Sequence, residues 1–252
     1  MIEAWAQWVC EPSILWAWVA IAAGTFVFLL YVPAPYGRHD SKGWGPPLSA
    51  RTGWIAMESM ALVGFGLCFW GGAAEGVADW LAIALYGGHY VYRALIYPFI
   101  TPPSATPMPL LVTLFGAGFN GINSTILGGW LFYVGPSVVL GPNTWVGLAI
   151  FIAGFITHTT ADRTLRMLRS THGPGYHIPM GGMYRFVSCP NYLGELIQWT
   201  GFALIVDAPA AWTFVIWTMA NLAPRAIKHH HWYRSRFPDY PAKRRALIPG
   251  LL

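Results

Sequence analysis

"CPNYLGELIQWTGFAL", residues 189–204, decides the reading of this chain. The stretch starts like a membrane-crossing helix, yet Asn191 and Glu195 stand at its mouth, four residues apart and so on one helical face. An amide and a carboxylate are costly guests in lipid. The fold and the function both turn on what they hold.

The composition around this stretch is that of a membrane protein. Of 252 residues, 55% are hydrophobic, 10% are charged, and 14 are tryptophan. A soluble domain carries about 25% charged residues, so a soluble class is excluded. The length allows roughly seven spans of ~20 residues with short connections. Apolar stretches fall near 13–33, 52–72, 77–99, 109–135, 143–169, 191–206 and 209–228. Segments rich in Pro and Gly separate them, among them "TPPSATPMP" and "STHGPGYHIPMGG". The N-terminus has Glu3 and Glu11 where a signal peptide needs basic residues, so residues 13–33 are predicted to be a true first span. There is no internal repeat and no second domain. One domain, 1–252, is expected, with any cofactor-binding part mainly in 155–252.

Charge placement orients the spans. Arg38, Lys42 and Arg51 follow the first span. Arg163, Arg166, Arg169 and Arg185 lie at or beyond the end of the fifth, and seven further basic residues from Arg225 to Arg245 at or beyond the end of the seventh. The other side receives Glu3, Glu11, Glu75, Asp79 and Asp207. The positive-inside rule then predicts an all-α, polytopic protein of seven transmembrane helices, N-terminus outside and C-terminus cytoplasmic. A bacterial inner membrane is the preferred location, with endoplasmic reticulum second.

The embedded polar residues gather at one depth, in the cytoplasmic half. They are Glu58; His89, Tyr90 and Arg93; Asp162, Arg166 and Arg169; Asn191 and Glu195; and Arg225. Asn120 and Asn123 share a face at mid-depth of the fourth span. Convergence argues for a polar chamber open to the cytoplasm rather than a pore, which would need polar steps through the outer half. Each group also has a plainer reading. Glu58 can pair with Arg93 as structural glue, Asp162 and Arg166 can form an i, i+4 pair, and Asn191 can cap its helix.

Other chemistries find little support. Three scattered cysteines, Cys10, Cys68 and Cys189, make neither a disulfide framework nor a zinc site. No metal is expected: HExxH is absent, and the adjacent residues His229, His230 and His231 point in different directions on a helix. The glycines of "GPGYHIPMGG" follow no strand, so they are not a dinucleotide fingerprint. A basic juxtamembrane tail is commonplace and does not argue for nucleic acid. A buried phosphate-bearing ligand uses the same arginines more specifically.

The C-terminal third, "GGMYRFVSCPNYLGELIQWTGFAL" followed by "RAIKHHHWYRSRFPDYPAKRRALIP", resembles the steroid 5α-reductase family. The shared pattern is a glycine-rich loop, an Asn-(aromatic)-x-Gly-Glu helix, a His-rich Trp-Tyr segment and a "YP…R…LIP" ending. It covers residues 155–252, and "ES" at 58–59 and "HYVYR" at 89–93 fit upstream. The resemblance implies an NADPH-dependent reductase of the C4=C5 double bond of 3-oxo-Δ4 steroids. It implies NADPH contacts from Asp162, Arg166, Arg169, Tyr176, Asn191, Glu195, Arg225, His229 and Tyr233. Arg93 is grouped with them, and Asn120 is a looser candidate. Glu58 and Tyr90 would face the steroid ketone as the catalytic pair, beside Trp54 and Met57. The chain departs from the family pattern at Met57 (Gln in mammalian types), His158 (often Asn) and His177 (Arg).

Chemistry supports these roles. Reducing a conjugated C=C builds charge on the carbonyl oxygen, so the site must place donors there. The Tyr90 phenol can donate, as can Glu58 while it holds its proton. Hydride would reach C5, and C4 would take a proton from water. A flat substrate can enter from lipid, with segments 101–109 and 170–190 as lids. A monomer is expected.

Four rivals remain. A trans-2-enoyl-CoA reductase would put a thioester carbonyl in place of the ketone, and a polyprenol reductase is a further cousin. A membrane methyltransferase of the isoprenylcysteine type would leave Arg166, Arg169 and Arg225 surplus. A non-catalytic sterol-binding protein would not need Glu58 and Tyr90.

Overall fold

A computed structural model of the chain describes residues 2–39, 42–74, 76–102, 106–173 and 175–252. Glu75 and parts of both expected lids (103–105 and 174) lie outside these residues. The chain is a helical bundle. Helix α1 spans Ile2–Val9, α2 Pro12–Tyr31, α3 Ala50–Gly71 and α4 Val77–Val91. A π-helical turn, Tyr92–Ile96, joins α4 to the short α5, Tyr97–Ile100. Helix α6 spans Leu110–Gly129 and ends in a second π turn, Trp130–Val134. Then follow α7, Pro142–His172; α8, Pro190–Val206; and α9, Pro209–Arg236.

Local chemistry sets the boundaries. Pro12, Pro142, Pro190 and Pro209 open α2, α7, α8 and α9, where a missing N–H costs nothing. Ser49 caps α3, its Oγ accepting from the Thr52 amide at 3.1 Å. Asp207 ends α8 in the left-handed conformation (φ 48°), so the chain turns straight into α9. Asp79, near the start of α4, accepts from the amides of Gly76 (2.9 Å) and Val138 (2.8 Å), tying α4 to the segment after α6.

Four helical stretches, Pro12–Tyr31, Ala50–Gly71, Leu110–Val134 and Pro142–His172, are long and apolar enough to cross a membrane. Helices α4 and α8, with 15 and 17 residues, are shorter, and α9 is basic in its second half. Helix α9 runs to Arg236, two turns beyond the apolar stretch that ends near 228. The amphipathic α1 precedes the first apolar stretch. Its buried Ala6 and Val9 lie against Gly129 of α6, while Trp5 and Trp8 face outward. The bundle exterior is apolar: Trp70 is 92% exposed and Leu67 68%, as suits a lipid-facing surface.

Helices α7 and α8 meet backbone to backbone. A Cβ on Gly147 would stand 2.6 Å from the Gly201 carbonyl oxygen, and one on Gly154 2.6 Å from that of Gly194. Small residues let membrane helices approach this closely. Gly154→Val is expected to destabilise the protein by about 3 kcal/mol, because backbone cannot move aside as a side chain can. Thermal unfolding in detergent reads this, with Gly24→Ala, where an added methyl meets open space, as the unaffected control.

The remaining seams use side chains. Trp217 Nε1 donates to the Trp18 carbonyl (3.0 Å), and Trp18 Nε1 donates to Asn123 Oδ1 (3.0 Å), joining α9, α2 and α6. An antiparallel pairing of β1, Pro47–Leu48, with β2, Met108–Pro109, brings the starts of α3 and α6 together. The segment after α9 pairs with the residues before α8. The Ser188 amide donates to the Arg245 carbonyl (2.8 Å), and the Arg245 amide to that of Phe186 (2.8 Å). Ser188 Oγ lies 2.7 Å from His230 Nδ1 and 2.6 Å from Tyr240 OH. These contacts hold α9 helical beyond its apolar part.

Candidate active site

Arg93 is the centre of the site. It lies on the π turn after α4, the kind of helical irregularity often found at functional positions. Its carbonyl accepts from Trp54 Nε1 (3.1 Å), which fixes that indole, and its guanidinium lies 4.6 Å from the Trp54 ring and 5.0 Å from the Tyr97 ring. Three carboxylates from three other helices surround it. Arg93 Nη2 donates to Glu195 Oε1 (3.0 Å, α8) and Nη1 to Asp162 Oδ2 (3.3 Å, α7), while Nε lies 3.8 Å from Glu58 Oε1 (α3).

Further groups orient these carboxylates. Asn191 Nδ2 donates to Asp162 Oδ1 at 3.2 Å. Asn120 Nδ2 donates to the Met57 carbonyl (2.9 Å) and to Glu58 Oε2 (3.4 Å). His158, fully buried, puts Nε2 3.3 Å from Asp162 Oδ2 and 3.7 Å from Glu195 Oε1. Asn191 and Glu195 thus hold the Asp162–Arg93 pair. Asn191 does not cap α8: it follows Pro190 in the first turn, and the cap position is Cys189. Asp162 pairs with Arg93 rather than with Arg166.

Tyr90, 4% exposed, packs on the rings of Tyr86 (4.8 Å) and Trp199 (5.9 Å). His89 Nδ1 accepts from the Gln198 side-chain amide at 2.8 Å. Met57 turns its side chain against Gly116 of α6.

A second group gathers where α9 ends. The Arg38 guanidinium lies 4.8 Å from the Tyr176 ring, 5.1 Å from Trp232 and 4.7 Å from Tyr233. His39 stacks on His229 at 5.3 Å; burial, Arg38 and Lys228 hold its pKa below the ordinary value, which favours the neutral ring. Arg225 lies 4.8 Å from the Tyr36 ring and 5.8 Å from Tyr192. A small cleft opens here, lined by Pro33, Ala34, Tyr36, His39, Arg225, Lys228 and His229. Tyr192, next to Asn191, links the two groups, its ring 5.7 Å from His229. Arg166 lies 5.7 Å from the Tyr97 ring; Arg169, half-buried, lies one turn further along α7. Burial pushes the Cys189 thiol up to about 12, which makes it a packing group rather than a nucleophile.

The candidate residues therefore fall into two adjoining sets. Glu58, Tyr90, Arg93, Asn120, Asp162, Asn191 and Glu195 form the inner one, with Trp54 and Met57 beside it. Tyr176, Arg225, His229 and Tyr233 belong to the basic end, and Arg166 and Arg169 lie on α7 beyond Asp162. Arg38, His39 and Tyr36 join the basic end although the sequence marked Arg38 only as a topogenic charge. The "YGRH" loop carries no sign that it folds back onto α9.

The basic end suits a polyanion. Among the described residues, the buried Arg38 Nη1, His39 Nε2 and His177 Nε2 have no hydrogen-bond partner here, nor does Arg166 Nη1 on α7. Phosphate oxygens are natural acceptors for such a set. Fold and site together define an integral-membrane protein whose helices gather a charged cluster beside a basic cleft.

Comparison with known proteins gives this class its family. Residues 106–252 match the family model described as 3-oxo-5-alpha-steroid 4-dehydrogenase. The chain is 36% identical to the steroid 5-alpha-reductase of Arabidopsis thaliana, over 89% of this chain and 90% of that protein. It is 34% identical to 3-oxo-5-alpha-steroid 4-dehydrogenase 1 of Bos taurus, over 92% and 93%. It is also 34% identical to the type 2 enzyme of Rattus norvegicus, over 96% and 98%. The chain belongs to the 3-oxo-5-alpha-steroid 4-dehydrogenase family and is an oxidoreductase.

Proposed function

We propose that this chain is a monomeric, single-domain membrane reductase that uses NADPH to reduce the C4=C5 double bond of 3-oxo-Δ4 steroids. The observation that carries the reading is the convergence of Glu58, Asp162 and Glu195 on Arg93, next to a basic end where, among the described residues, Arg38 Nη1, His39 Nε2 and His177 Nε2 lack partners. Seven passes with the N-terminus outside accompany it, supported by the clustering of basic residues where α9 ends. Cysteine-accessibility labelling from each side tests that topology.

Arg166, Arg169, Arg225, His229, Tyr176 and Tyr233, with Arg38, would hold the phosphates and adenosine part of NADPH. Asp162, Asn191 and Glu195 would hold its carboxamide and ribose, since a carboxylate bonded to Arg93 keeps further acceptor positions. When bound, NADPH supplies the hydride that reaches C5. Tyr90 and Glu58 act at the 3-ketone oxygen, each donating a hydrogen bond as charge develops there. Three carboxylates face one guanidinium, so a buried, fully ionised set would be strongly repulsive. Glu58 is the farthest of the three from Arg93 and, among the described residues, accepts a hydrogen bond from Asn120 alone, so it is the carboxyl that keeps its proton and can donate. Trp54 and Met57 would line an adjoining apolar slot that keeps water away from the reacting carbons.

Purification in mild detergent followed by mass spectrometry of the retained nucleotide tests the cofactor. A panel of Δ4-3-ketosteroids and enoyl-CoAs assayed by NADPH oxidation tests the substrate; reduction of enoyl-CoAs alone would transfer the chemistry to a thioester. Arg169→Ala is expected to weaken NADPH about tenfold or more, as losing one charged hydrogen bond does. A steroid competitor should be nearly unaffected. Equal loss of both ligands would argue against a phosphate contact.

A further inference from the structure

The inner cluster has one member that neither the reaction nor the cofactor has claimed. His158 is fully buried on α7. Its Nε2 lies between Asp162 Oδ2 (3.3 Å) and Glu195 Oε1 (3.7 Å), the two carboxylates that grip Arg93 most closely. Its backbone is pinned, because the His158 amide nitrogen abuts Gly194 in the glycine seam. The seam therefore fixes where the ring is anchored, beside the two carboxylates, although among the described residues neither ring nitrogen makes a hydrogen bond of good geometry.

We propose that His158 is an imidazolium, the second fixed cation of the site, and that it acts as a positioning residue keeping Asp162 and Glu195 ionised while Glu58 remains a carboxylic acid. The assignment rests on the reading of Glu58 as the proton-holding donor and extends it to the whole cluster.

Charge balance carries the argument. Glu58, Asp162 and Glu195 face the single guanidinium of Arg93 in a buried volume. Two uncompensated negative charges there would be prohibitive. A proton on His158 and one on Glu58 bring the cluster to neutrality. The alternative is a neutral imidazole with two protonated carboxyls. That would put a proton on Asp162 or Glu195, each of which already serves as acceptor for Arg93. Around the ring, α4 offers His89, its ring 5.8 Å away, and the π turn after α4 offers Arg93. His89 Nδ1 accepts from the Gln198 amide, so His89 is a neutral ring and does not compete for the charge. Helix α8 contributes Glu195 and Asn191, and α3 contributes Glu58. On α7 itself Asp162 is the neighbour, with Arg166 and Arg169 further along. The negative groups nearest to the ring thus outnumber the positive ones.

The test is spectroscopic and uses the full-length protein in detergent without nucleotide or steroid. In histidine-15N-labelled protein near neutral pH, the signal lost in His158→Asn should have both ring nitrogens at imidazolium positions. In infrared spectra, wild type should show a single buried carboxylic-acid C=O band, removed by Glu58→Gln. His158→Asn should show a second such band that Glu58→Gln does not remove, as Asp162 or Glu195 takes up the missing proton. A purely structural role would leave the carboxyl bands unchanged. A neutral-imidazole signal, or two carboxylic-acid bands in wild type, overturns the proposal. The wild-type spectra decide even if His158→Asn fails to fold. A substrate panel in which nothing is reduced overturns the reading of the reaction and not this assignment.

Discussion

Tyr90→Phe and Glu58→Gln are each expected to lower turnover about 100- to 1,000-fold, the usual cost of removing one donor from a developing oxyanion. Both variants keep the shape of the side chain. Tyr90→Phe retains the ring that packs on Tyr86 and Trp199. Glu58→Gln retains a side chain that can accept from Asn120 and removes the acid. Neither residue contacts the basic end in this structure, so NADPH affinity should change by no more than about twofold, worth ~0.4 kcal/mol. Fluorescence titration with NADPH and steady-state turnover on a Δ4-3-ketosteroid separate the two effects. Full turnover in either variant would remove that residue from the list of carbonyl donors.

Arg93→Leu is expected to destabilise the fold by about 3–5 kcal/mol, the typical cost of removing one partner from a buried ion pair. The loss is large because one side chain satisfies carboxylates on α7 and α8 at once, with Glu58 of α3 at 3.8 Å, and because Trp54 and Tyr97 pack on its guanidinium. Asp162 and Glu195 would have to take up protons or admit water. Thermal unfolding in detergent should show a midpoint that rises on mild acidification, because protonation relieves the stranded carboxylates; wild type should lack this rise. A variant as stable as wild type at neutral pH would mean that the carboxylates do not depend on Arg93. Arg93→Lys should fall between the two, since a point charge cannot match three carboxylates with a planar fork.

Much of the helical architecture was legible because lipid imposes simple rules. Apolar runs bounded by Pro and Gly coincide with the long helices to within a few residues. The face shared by Asn191 and Glu195 pointed directly at the Asp162–Arg93 pair. Partnership was less legible. The Glu58–Arg93 reading was right as a contact but too small, because two more carboxylates arrive from α7 and α8, Glu195 being 102 residues from Arg93 in sequence. Periodicity cannot report such contacts. The Asn191 cap and the Asp162–Arg166 pair were reasonable local readings that lost to tertiary partners. Helix α9 outran its apolar signal because Ser188, Tyr240 and Arg245 support its polar end. Arg38 was missed because its aromatic neighbours come from residues 176–233, far along the chain.

The glycine seam has a mechanical corollary. Two helices in main-chain contact at several levels cannot part gradually; they behave as a single beam, carrying Asp162, His158, Asn191 and Glu195 as a rigid unit. Whatever admits a bulky guest must therefore yield elsewhere. The opposite wall, where Arg93 stands on a π turn, meets the beam through side chains. With the beam as the fixed jaw, room for a guest has to come from walls of that kind, where contacts are between side chains.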